Sequence, residues 1–74
     1  MYYKAQIKNI DVIVTVIYDY SSVVLEVQNK EDIEKLENFF KFLYISTSRI
    51  LPNKKQGYLR VFENIGNLKD LIKI

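Results

Sequence analysis

Val12-Ile13-Val14-Thr15-Val16-Ile17-Tyr18 is the stretch whose reading decides the fold. Six of these seven residues are β-branched and none is charged. Branching at Cβ restricts χ1 in a way that suits a pleated strand better than a helix. A strand apolar on both faces belongs inside a sheet with cover on both sides. In a domain this small, a second copy of the chain is one candidate for the second cover.

Working outward from this strand, Tyr3, Ala5 and Ile7 alternate with Lys4, Gln6 and Lys8, the period of a half-buried strand. Asn9-Ile10-Asp11 offers turn chemistry between the two, without a glycine to strengthen it. On the other side, Asp19-Tyr20-Ser21-Ser22 supplies a turn and Val23 to Gln28 reads as a third strand. Asn29 then stands as an N-cap, with Glu31 and Asp32 where the helix dipole favours acids. Glu31 with Lys35 and Glu37 with Lys41 are i,i+4 pairs in the favourable order. The spacing predicts a helix from Lys30 to Tyr44 or Ile45, with Leu36 and Phe40 buried against the sheet. Ile33, Leu36, Phe39, Phe40, Phe42, Leu43 and Tyr44 span an arc of about 200°, wider than one sheet requires. Either the helix is sunk deeply in its own core, or a second apolar face serves a partner or a twin subunit.

Ser46 to Gln56 is the longest irregular stretch. It reads as an exposed loop or as a hairpin whose first arm is Arg49-Ile50-Leu51. Gly57 ends it, and Tyr58 to Glu63 alternates as a fourth strand. Gly66-Asn67 breaks that strand, with Asn67 placed to cap a short helix through Leu68, Leu71 and Ile72. The fold expected is a single α+β domain over residues 1–74: a four-stranded, mostly antiparallel sheet with the Lys30–Ile45 helix on one face. The element order is β-β-β-α-β-α.

Composition bounds the chemistry. A chain of 74 residues is one domain near the size at which a core stabilises itself unaided. It has no cysteine, so neither a disulfide nor a Cys-ligated zinc site is available, and a reducing compartment is the natural setting. With 49% hydrophobic residues, six tyrosines and four phenylalanines, the chain is far from a disordered composition. Met1-Tyr2-Tyr3-Lys4 is not followed by the apolar core of a signal peptide. No apolar run approaches the ~20 residues of a membrane helix, so a soluble cytoplasmic domain with no membrane partner is expected. The abundance of Ile, Asn, Lys, Tyr and Phe over Gly, Ala, Arg and Pro points to an AT-rich genome, as in low-GC bacteria, their phages and mobile elements, and some archaeal viruses.

Absence decides most of the enzyme question. Without histidine or cysteine there is no Ser-His-Asp triad, no Cys-His pair and no imidazole acid-base group or metal ligand. Two glycines, Gly57 and Gly66, make no phosphate-binding loop. Asp11 and Asp19 read as turn residues and the helix acids as a solvated face, so paired catalytic carboxylates are not in evidence. The expectation is no catalytic residue, no cofactor and no metal.

Charge is segregated along the chain. From Asn38 to Phe62 stand Lys41, Arg49, Lys54, Lys55 and Arg60 with no acid, whereas Glu26 to Glu37 holds five acids against Lys30 and Lys35. A one-signed patch steers an oppositely charged partner, although the net charge of +2 is small. Joined with Tyr44 and Tyr58, the residues Arg49, Lys54, Lys55 and Arg60 form a candidate partner-binding set, since cations and aromatics together grip phosphates and stack on bases. Lys55 to Phe62 resembles the RNP1 strand of RNA-recognition domains, but Leu59 and Arg60 depart from that pattern and the element order is not βαββαβ. Nothing of that family is carried over. Tyr and Arg also favour protein interfaces, and Tyr18, Tyr20, Phe39 and Phe42 form a candidate dimer or second interface.

These features point to a non-enzymatic binding protein that occupies a macromolecular surface, with a protein target first and a homodimer allowed. Small inhibitors encoded by phages and mobile elements, including the anti-CRISPR type that acts on host defence complexes, share this profile by analogy of size and composition. The alternative is a small nucleic-acid- or ribonucleoprotein-binding regulator using the basic surface 49–60. A subunit whose role is assembly is the third possibility.

Overall fold

The computed structural model describes residues 2–16, 22–50 and 57–72. Five strands, β1 (Tyr2–Ile7), β2 (Ile10–Val16), β3 (Val23–Val27), β4 (Thr47–Ile50) and β5 (Gly57–Val61), accompany one helix, α1 (Asp32–Phe42), and a 3-10 turn at Ile65–Leu68. The strands form one sheet in the order β1-β2-β3-β5-β4, and every neighbouring pair is antiparallel. The α+β class and the antiparallel sheet with one main helix hold. The strand count is five and not four, and the order β-β-β-α-β-β replaces β-β-β-α-β-α.

The extra strand lies inside the stretch read as irregular. β4 is the first arm of a hairpin with β5, beginning at Thr47 rather than Arg49. It is an edge strand of four residues, mostly exposed, and such a strand needs no apolar alternation to announce it. Because β4 and β3 both run antiparallel to β5, they are parallel to each other with β5 inserted between them. α1 makes the crossover and packs over β5 and β4.

Period-two burial sorts the sheet into two faces. Val12 and Val14 of β2, Val23, Leu25 and Val27 of β3, and Leu59 and Val61 of β5 are buried, and they join Ile33, Leu36 and Phe40 of α1 in one core. Leu36 and Phe40 are fully buried, as the helical spacing predicts. β2 is not covered twice, however: Ile13 is half-buried and Thr15 exposed. One face of the sheet therefore lies outside the core.

The joints differ from the sequence reading in instructive ways. The β1–β2 turn is Lys8-Asn9, between the paired Ile7 and Ile10, with φ of 53° and 66°. Two positive φ values make the type I′ geometry that matches the twist of a hairpin. α1 begins at Asp32, with Glu31 at the N-cap and no side-chain capping bond. Asn29 and Lys30 instead accept backbone N–H bonds from Asp32 and Ile33 at 2.9 and 3.1 Å, a turn that leads into the helix. Beyond β5 the cap is Asn64, whose Oδ1 accepts from the Gly66 N–H at 2.8 Å, and not Asn67. The segment that follows returns Leu68 and Ile72 to the core. Among the described residues no helix is long and apolar enough to cross a membrane.

Candidate functional site

Helix α1 ends on a Schellman motif. The Tyr44 N–H bonds the Lys41 carbonyl at 3.0 Å and the Ile45 N–H bonds the Phe40 carbonyl at 2.9 Å. Tyr44 occupies the position after the cap, at φ 61°, where glycine is the usual residue. A left-handed conformation costs an ordinary L-residue roughly 1–2 kcal/mol. Ile45 turns back against the core, but Tyr44 is 98% exposed, so packing within the chain does not offset its backbone strain. Phe42, two residues earlier, is 81% exposed on the side of α1 away from Phe40. The two rings stand at the same end of the molecule beside Lys41, which makes no ion pair among the described residues.

The chain's two arginines are held in opposite ways. Arg49 clamps Glu37 of α1 in a bidentate pair, Nε to Oε2 at 2.9 Å and Nη2 to Oε1 at 2.6 Å. That hydrogen bond, and then the charge of Glu37, push the guanidinium pKa further up from its ordinary value. Glu37 thus spans to the sheet instead of pairing with Lys41, and Lys35 meets Asp32 at 3.8 Å rather than Glu31. Arg60 has no carboxylate partner among the described residues. Its Nε and Nη2 donate to Oγ of the buried Ser22 at 3.3 and 3.2 Å, and its guanidinium lies 5.0 Å from the centre of the Phe62 ring.

Register separates the basic set of residues 49–60. Arg49 is opposite Leu59 and shares the helix-covered face, whereas Arg60 is opposite Val24 and Ser48 on the open face. Tyr58 shares the open face with Arg60, opposite Glu26 and Ile50. Partial burial, reinforced by a hydrogen bond to Glu26 and its charge, raises the Tyr58 phenol above its usual range. Phe39 is half-buried at the core margin, tilted against Phe40 with ring centres 5.4 Å apart and with the Lys8 ammonium 5.3 Å above it. Lys54, Lys55, Tyr18 and Tyr20 lie outside the described residues.

The structure thus leaves Tyr44 and Phe42 both exposed near the C-terminal end of α1, puts Tyr58 and Arg60 on the open face of the sheet, and sets Arg49 apart in an ion pair. Sequence reasoning did not pick out Ser22, Glu26, Glu37 or Phe62. For Phe62 the signal was present in the alternation Tyr58, Arg60, Phe62, which puts all three on one face of a strand. Among the described residues no group of acidic side chains is gathered as a metal site. No protein-family model matches the chain, and neither a curated protein nor a solved structure matches it.

Proposed function

We propose that this chain is a non-enzymatic binding protein that acts by occupying the surface of another protein, using the helix-end projection of Phe42 and Tyr44 beside Lys41. One observation carries the reading: Tyr44 is at once almost wholly exposed and held in a backbone conformation that glycine fills at lower cost. None of the described residues covers the phenol ring, which is 98% exposed. Strained backbone at an exposed aromatic motivates a role in contact with something else, and exposed Tyr and Phe side chains near one helix end are of the kind that anchors protein interfaces. The narrower reading, an inhibitor encoded by a phage or mobile element and acting on a host complex in the cytoplasm, is supported by small size, AT-rich residue usage and the lack of histidine and cysteine.

Affinity capture from a low-GC bacterial lysate, with and without nuclease, tests this. The parent should retain a discrete protein that is insensitive to nuclease, and Tyr44→Gly should release it while raising thermal stability, because glycine relieves the left-handed strain. Retention of the same protein by Tyr44→Gly and by Phe42→Ser would sink the proposed surface. Capture that disappears with nuclease would turn the reading toward the nucleic-acid-binding alternative.

A further inference from the structure

The sheet face away from α1 is a second surface, separate in chemistry from the helix end. Ile13, Val24 and Tyr58 on it are half-buried, and Ile50 and Phe62 are exposed at 41% and 47%. Among the described residues its charges balance: Lys4 and Arg60 against Asp11 and Glu26. Asp11 is engaged by Gln6 at 2.8 Å. Arg60 and Glu26 are diagonal neighbours on β5 and β3, since Arg60 stands opposite Val24 and Glu26 opposite Tyr58. They do not pair with each other. Arg60 is drawn to Ser22 and Phe62, and Glu26 accepts from the Tyr58 hydroxyl.

We propose that a second copy of this chain covers this face, packed sheet to sheet about a two-fold axis, with Arg60 of each copy on Glu26 of the other. A two-fold axis in the plane of contact, midway between two groups, exchanges them. One operation therefore forms both ion pairs, which is the self-complementarity an isologous interface demands. The pairs are preorganised: Ser22 and the Phe62 ring fix the guanidinium and leave its remaining N–H donors for a carboxylate. Ile13, Val24, Ile50 and Phe62 surround them and exclude water, which strengthens the attraction. Among the described residues the face has no net charge, so these groups do not repel their own copies, and they show no cation excess of the kind a nucleic acid requires. The helix ends carrying Phe42 and Tyr44 stay free on the outer sides of such a pair.

Sedimentation equilibrium on the parent and charge variants decides the matter. At high micromolar concentration the parent should approach twice the 8.8 kDa chain mass. Glu26→Gln, which keeps an acceptor for Tyr58 and removes the charge, should weaken association about tenfold or more, as should Arg60→Glu. The exchanged pair Arg60→Glu with Glu26→Arg should restore it. If Arg60→Glu disturbs the fold by circular dichroism, Glu26→Gln and Phe62→Ser still test the face. A parent that stays monomeric, or a dimer indifferent to these variants, overturns the proposal.

Discussion

A β-carbon on Gly57 would lie 2.6 Å from Cγ1 of Ile33 and 2.9 Å from Cα of Lys30. The start of β5 and the turn into α1 approach so closely that only a hydrogen fits. Gly57→Ala should therefore destabilise the domain by about 1–3 kcal/mol, the usual range for overpacking, read as a fall in the midpoint of chemical denaturation. A variant that melts like its parent would mean that this contact is looser than 2.6 Å implies. From the sequence Gly57 reads as the end of a loop, because its reason lies 24 residues upstream, across space at Ile33. The charges behave likewise. Acids and bases segregated along the chain meet when Glu37 clamps Arg49. Burial of Leu36 and Phe40 was legible because it follows helical period; the partner of an arginine follows no period at all.

Elements were legible where one face is buried and the other wet. β1, β3, β5 and α1 carry that contrast in the sequence, whereas β2 is legible through its β-branched residues alone, which give the strand but not its single covered face. β4 carries none, having one half-buried residue among four. The C-terminal segment was read as capped by Asn67, yet its start is organised by Glu63, whose Oε1 accepts from the Asn64 N–H and from Asn67 Nδ2, both at 2.9 Å. The Asn67 side chain foremost, then the Asn64 N–H, hold the Glu63 carboxyl below its ordinary value of 4.5. A depressed carboxyl pKa gives stability that is present above the unfolded value and is lost as pH falls through the folded one. The stability advantage of the parent over Glu63→Gln should thus be present near neutral pH and disappear well below 4.5, as measured by denaturant unfolding across that range. A gap that does not change with pH would show that the charge of Glu63 has no part in holding this turn.

For the whole molecule, the sequence suffices for an antiparallel sheet under one helix; it misses the fifth strand, and it carries no reading of the strand order in the sheet, because order depends on which edges meet and not on any local pattern. The insertion of β5 between β3 and β4 also has a kinetic meaning. The meander β1-β2-β3 closes through neighbours in the chain, and so does the β4–β5 hairpin, but the seam that unites them pairs Val23 with Val61 and Val27 with Gly57. Loop closure over that distance must precede the contacts that reward it, so the seam belongs to the barrier. Leu59→Ala should accordingly slow refolding in stopped-flow experiments by most of its effect on stability, and a change confined to the unfolding limb would contradict this. Until that seam closes, the chain is two half-sheets in which β3 and β5 each present an unpaired edge. Crowded nascent chains would tend to borrow one another's β5 at that moment, so the yield of folded protein should fall with concentration during refolding more steeply than its equilibrium stability suggests.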